Sequence, residues 1–150
     1  MSAEVSASSW QPWLVWALLS AMFAALTAIF AKIGLEGVDS DYATLVRTAV
    51  IIVVLGMFVA VSGKWRNPAT LSARSGLFLV LSGVATGASW VCYFRALKIG
   101  EATRVAPIDK LSVVLVAIFA VIILGERPSF REWLGILSIA VGAVLLSLKS

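Results

Sequence analysis

Behind Pro107, Asp109 and Lys110 the chain runs unbroken and apolar from Val113 to Leu124, and four further stretches of similar hydropathy surround this one. Inside hydrocarbon no water satisfies backbone N–H and C=O groups, so each span has to close its own hydrogen bonds. Taken with their flanks, these runs are too long for the tilted strands of a small barrel and reach the roughly 20 residues of a spanning helix. The feature therefore restricts the chain to an all-α membrane protein. Composition agrees: 61% of the 150 residues are hydrophobic and 13% are charged, with a mean hydropathy of +1.01. A net charge of +4 carries no basic run or patch, so nucleic acid is not an expected partner, and the lipid bilayer is.

The first nine residues lack Lys and Arg, and the apolar stretch behind them is too long for a signal core. A first span is expected over 13–33, with Trp10, Trp13 and Trp16 at the membrane interface. Ala17, Ala21 and Ala25 give it small-xxx-small spacing. Lys32 near its end either snorkels to the interface or joins a polar vestibule. Gly34, Gly37 and the acids Glu36, Asp39 and Asp41 turn the chain into a second span over 42–62, with Asp39 or Ser40 as N-cap. Arg47 lies inside that span, where it either snorkels or meets an oxyanion or carboxylate partner.

Asn67-Pro68 marks a loop before a third span over 75–94. Gly83 and Gly87 share one face, suited to close helix packing, and Trp90 and Tyr93 share another, suited to lining a cavity. A tight connection through Gly100 leads to the fourth span, 103–124. Pro107 either starts that helix or kinks it and frees a carbonyl. Asp109 and Lys110 are adjacent, about 100° apart on a regular helix, so each is expected to seek a partner on another helix, with Arg47 nearest to Asp109. ERPSFRE turns the chain into a fifth span, 132–148, with Gly135 and Gly142 on a small-residue packing face.

The chemistry-bearing residues are few. No histidine and a single cysteine, Cys92, give no expected metal site, cofactor or disulfide, and the buried polar set lacks a nucleophile with an adjacent base, so no enzymatic activity is expected. Arg47, Asp109, Lys110, Lys32, Arg95, Trp90 and Tyr93 are the candidate substrate or ion pathway, since ionisable residues at depth are costly and tend to serve function. Two embedded cations against one carboxylate favour an anionic or zwitterionic small-molecule substrate. Loop cations are balanced: Lys64, Arg66, Arg74, Arg127 and Arg131 fall on one side, Lys32, Arg95, Lys98, Arg104 and Lys149 on the other. With no positive-inside bias, both orientations are open, and two oppositely inserted copies fit the inverted symmetry of many secondary transporters.

The string YFRALKIGEATRVAPIDKLSVVLVAIFAVIILGERPS followed by WLGILSIAVGAVLL resembles the EamA domain of the drug/metabolite transporter superfamily, and the likeness extends from Trp13 to Leu148. Its most specific parts are Ala96, Leu97, Gly100 and Ala102 before the fourth span, and Leu124, Gly125 and Glu126 at its end. Ala31 to Gly34, Arg47-Thr48, Thr86 to Trp90 and Pro107 to Lys110 resemble the short members that hold one such domain. The resemblance implies one domain over 1–150, a five-helix half of a ten-helix inverted repeat. It also implies a multi-pass protein of the inner or plasma membrane that needs a second copy, or a short paralogue, to complete the unit. No acid lies between Trp13 and Phe30, in contrast to the related four-helix exporters that couple to protons through a first-helix glutamate.

Overall fold

The computed structural model describes residues 12–148. Trp10, the first nine residues and Lys149 lie outside the described residues. The chain folds into α1 (Pro12–Gly34), α2 (Ser40–Val61), α3 (Ala73–Ile99), α4 (Ala102–Asp109), α5 (Ser112–Phe119), continued by a π-helical turn (Ala120–Leu124), and α6 (Phe130–Ser147). Among the described residues there is no strand. α4, α5 and the π turn together make one span, giving five helical segments long and apolar enough to cross a membrane.

The helix starts are written in short polar side chains. Asp39 caps α2 by accepting from the backbone N–H groups of Asp41 and Tyr42 at 2.9 and 3.0 Å. Ser129 and Glu132 form a capping box at α6, each side chain accepting from the other's backbone N–H. Asn67 accepts from the Ala69 N–H at 3.0 Å and opens the loop turn Pro68–Thr70. α3 runs to Ile99 rather than to Phe94, because Arg95 and Lys98 are carried on its last two turns and not in a loop.

At the fourth span the structure fits one of the two readings of Pro107, and at the glycines it shows no close contact within the chain. Pro107 does not start α4; it lies well inside a helix that begins at Ala102. Just beyond it the hydrogen bonds tighten to i→i−3: Lys110 to Pro107, Leu111 to Ile108, Val113 to Lys110 and Val114 to Leu111, each at 3.0 Å. The span is therefore broken at Lys110–Leu111. Gly83, Gly87, Gly135 and Gly142 do not make close helix contacts within the chain, since a Cβ added to any of them would meet nothing within 4 Å. The N-terminal part of α3, with Leu77, Phe78, Val80 and Val84, is exposed all round, so no neighbour reaches its glycine face.

Packing concentrates at one membrane face. Leu35, Phe94 and Leu97 are buried there, with Ala31, Ala43, Tyr93, Ala102 and Val105 packed around them. Gly100 makes the α3–α4 connection close: a Cβ on it would come within 2.8 Å of Val105 Cγ2 and 3.1 Å of the Ala96 carbonyl. α4 packs on α6 and α2 on α3, the most extensive pairings in the bundle.

Candidate functional site

α1 and α3 end, and α2 and α4 begin, on the same face. At about 1.5 Å of rise per residue, Thr27, Arg47, Trp90, Tyr93 and Asp109 all lie roughly 9 to 14 Å below it, which is about a third to a half of the way through a hydrocarbon layer of about 30 Å. They line one hollow of about 210 Å³ together with Ala24, Ser89 and Lys110. The sequence candidates Arg47, Trp90, Tyr93, Asp109 and Lys110 are thus brought together, while Lys32 and Arg95 are not part of the lining.

Within the hollow the partners differ from expectation. Arg47 does not pair with Asp109. Its guanidinium carbon sits 4.2 Å from the Trp90 ring centroid and 5.2 Å from that of Phe94, and among the described residues no ion pair involves it. Trp90 and Phe94 are four residues apart on α3, so both rings face the same way. Asp109 pairs with its own neighbour instead, Lys110 Nζ to Asp109 Oδ2 at 3.1 Å. The 100° separation that argued against this pair holds only on a continuous helix. Lys110 stands where α4 has ended, with φ −71° and ψ −8°, and its flexible stem folds back to the carboxylate.

These contacts leave a charge imbalance. An arginine at depth costs at least about 2.5 to 3.5 kcal/mol on insertion scales, and a cation–π contact returns about 0.5 to 2 kcal/mol. The aromatic platform therefore positions Arg47 without neutralising it. Thr27 and Ser89 add hydroxyls to the wall. Sequence reading passed over Thr27 and Phe94 and took Ser89 only as part of the Thr86 to Trp90 run; only the four-residue step from Trp90 to Phe94 pointed to the second ring.

At the nearby face Lys32, Lys98 and Arg95 form a latch between helix ends. Lys32, in the last turn of α1, donates to the carbonyls of Leu97 and Gly100 at 2.6 and 2.8 Å, capping α3. Lys98, in the last turn of α3, donates to the carbonyls of Leu35, at 3.0 Å, and Val38, capping α1 in return. Cations satisfy the orphan carbonyls and the dipole at helix C-termini. Arg95 of α3 grips Asp41 of α2 with a two-pronged fork, Nε to Oδ1 at 2.9 Å and Nη2 to Oδ2 at 2.6 Å. Lys32 and Arg95 are thus engaged in holding helix ends together.

Two larger, mostly apolar cavities adjoin the hollow. One of about 500 Å³ lies between α1 and α2 and shares Thr27 and Arg47 with it. Another of about 680 Å³ lies between α1, α4 and α6 and shares Ala24, Tyr93 and Lys110. Gly142 lines the second.

Spans of this kind around a polar hollow define a multi-pass helical membrane protein. Residues 11–148 match the EamA-like transporter family, and the chain belongs to that family. It is 58% identical over 137 residues, 91% of this chain and 97% of the relative, to a Sinorhizobium protein named "uncharacterized transporter in cobO 3'region". It is 29% identical over 88 residues, 58% of this chain and 78% of the relative, to the "Probable 4-amino-4-deoxy-L-arabinose-phosphoundecaprenol flippase subunit ArnE" of Proteus mirabilis. It is 25% identical over 133 residues to the "uncharacterized transporter YxxF" of Bacillus subtilis, covering 88% of this chain but 41% of that protein. No solved structure matches. Family and relatives point to a membrane transporter rather than an enzyme.

Proposed function

We propose that this protein is a secondary transporter for a small metabolite that works by alternating access, as two copies inserted in opposite orientations. The observation that carries this reading is the convergence of Arg47, Trp90, Tyr93, Asp109 and Lys110 on one hollow within the span region. The helix-end latch at one face also supports it: an inverted partner supplies the matching latch at the other. Arg47 binds the charged part of the substrate, Trp90 and Tyr93 form its walls, and Asp109 is the coupling carboxylate, released from Lys110 when it takes up an ion or proton. The balance of loop cations in the sequence leaves both orientations available.

The likeness to a flippase subunit favours a second reading, in which this chain is half of a heteromeric carrier completed by a short paralogue. Purified protein in liposomes separates the two. Uptake from a defined mixture of carboxylate and phosphate metabolites, read by mass spectrometry, is expected for the chain alone. It is expected to fall at least about tenfold in Arg47→Ala and Asp109→Asn, given that a charged hydrogen bond contributes about 1.5 to 3 kcal/mol. Uptake undiminished in both variants removes the site; uptake only with a co-purified paralogue establishes the heteromer.

A further inference from the structure

The hollow accounts for a charged group, yet at about 210 Å³ it is smaller than the roughly 300 to 1,000 Å³ of ligand pockets in general. Its continuation matters for what it can take. Arg47 and Thr27 line both the hollow and the 500 Å³ groove between α1 and α2, whose other walls include Phe30, Ala31, Tyr42 and Val46. One guanidinium thus stands at the junction of a polar chamber and an apolar one.

Charge selects the polar end. Asp109 is engaged by Lys110 at 3.1 Å, so the carboxylate of the hollow is already matched. Arg47 rests on aromatic faces, and its planar fork suits a carboxylate or phosphate that approaches from the side away from Trp90. The lining therefore lacks one negative charge. The 680 Å³ cavity is a weaker candidate for the apolar end, because the cation it shares with the hollow is Lys110, which is paired.

From this geometry we infer that the site takes an amphipathic anion, its carboxylate or phosphate on Arg47 and its hydrocarbon part in the α1–α2 groove. The inference deepens the transporter reading above, resting on the same hollow, and narrows the substrate class from small metabolites to anionic amphiphiles. It also predicts an order of affinities: anion with chain above anion without chain, and neither cation nor alcohol in the site.

The test uses the full chain in phosphatidylcholine nanodiscs, with octyl phosphate, octanoate, inorganic phosphate, acetate, octanol and octyltrimethylammonium as probes. Binding is read by calorimetry after subtraction of empty nanodiscs. Octyl phosphate and octanoate are expected to saturate one site per chain, at least about tenfold tighter than inorganic phosphate or acetate, since each buried methylene contributes several-fold. Arg47→Gln is expected to weaken them at least about tenfold. Val46→Phe, which fills the groove without touching the charge, is expected to weaken the alkyl anions and leave inorganic phosphate unchanged. Binding that survives Arg47→Gln, that is as tight for octanol, or that favours inorganic phosphate over octyl phosphate overturns the inference. Loss of alkyl-anion binding in Val46→Phe alone sustains it even where Arg47→Gln does not fold. Binding as expected with no flux in liposomes contradicts the transporter reading and leaves this site standing; flux without alkyl-anion binding does the reverse.

Discussion

Arg47 and Lys32 show how differently a cation inside an apolar chain can be used. Lys32 gives its ammonium to two backbone carbonyls of another helix and is consumed by structure. Arg47 is held by rings that cannot take its charge. The two residues should respond differently to truncation. Lys32→Ala is expected to lower stability in detergent by about 1 to 3 kcal/mol, since it strips a charged donor from partly buried carbonyls, and thermal unfolding of the purified protein measures it. Arg47→Ala should unfold close to wild type while losing uptake, because the cation–π contact it gives up is offset by relief of its burial. A variant series in which Lys32→Ala unfolds like wild type would show that the latch contributes nothing to holding α1 and α3 together.

At the scale of the helices, α1 and α3 are joined at their C-terminal ends by reciprocal lysines, and α3 and α4 by the close turn at Gly100. Gly100→Ala is expected to push Val105 out of the cluster around Leu35 and Leu97, costing about 1 to 3 kcal/mol as overpacking does. The same unfolding assay checks it, and an unchanged midpoint would mean that the turn has room to relax. The spans themselves were legible in the sequence because apolar length reports directly on membrane crossing. Helix ends were less so: Lys98 fell in the expected connection after the third span, whereas a long basic side chain at a C-terminal turn can reach backbone acceptors on a neighbour, and carbonyl acceptors leave no mark in a sequence. The convergence of Arg47, Trp90, Tyr93 and Asp109 followed from their shared depth. The pairing of Asp109 with Lys110 did not, since it depends on a break in the fourth span that a proline permits without specifying.

For the whole molecule, helix ends are latched together at one face, while toward the other Val54, Met57, Leu77, Phe78 and Val84 are exposed. Lipid accounts for part of that surface; in the proposed assembly a second copy covers the rest and brings its own latch to the opposite face. The sequence places as many Lys and Arg toward one side of the membrane as toward the other, which in the proposed assembly leaves both orientations available. The account turns on that inversion. With Cys92 replaced by serine, a single cysteine introduced in the loop at Ser62 or at Ile99 is labelled in intact cells by a membrane-impermeant maleimide. The account predicts that each site labels partially, to comparable extents, at both faces. Labelling of one site to completion with none at the other would contradict the inverted pair and leave only a fixed orientation with a different partner.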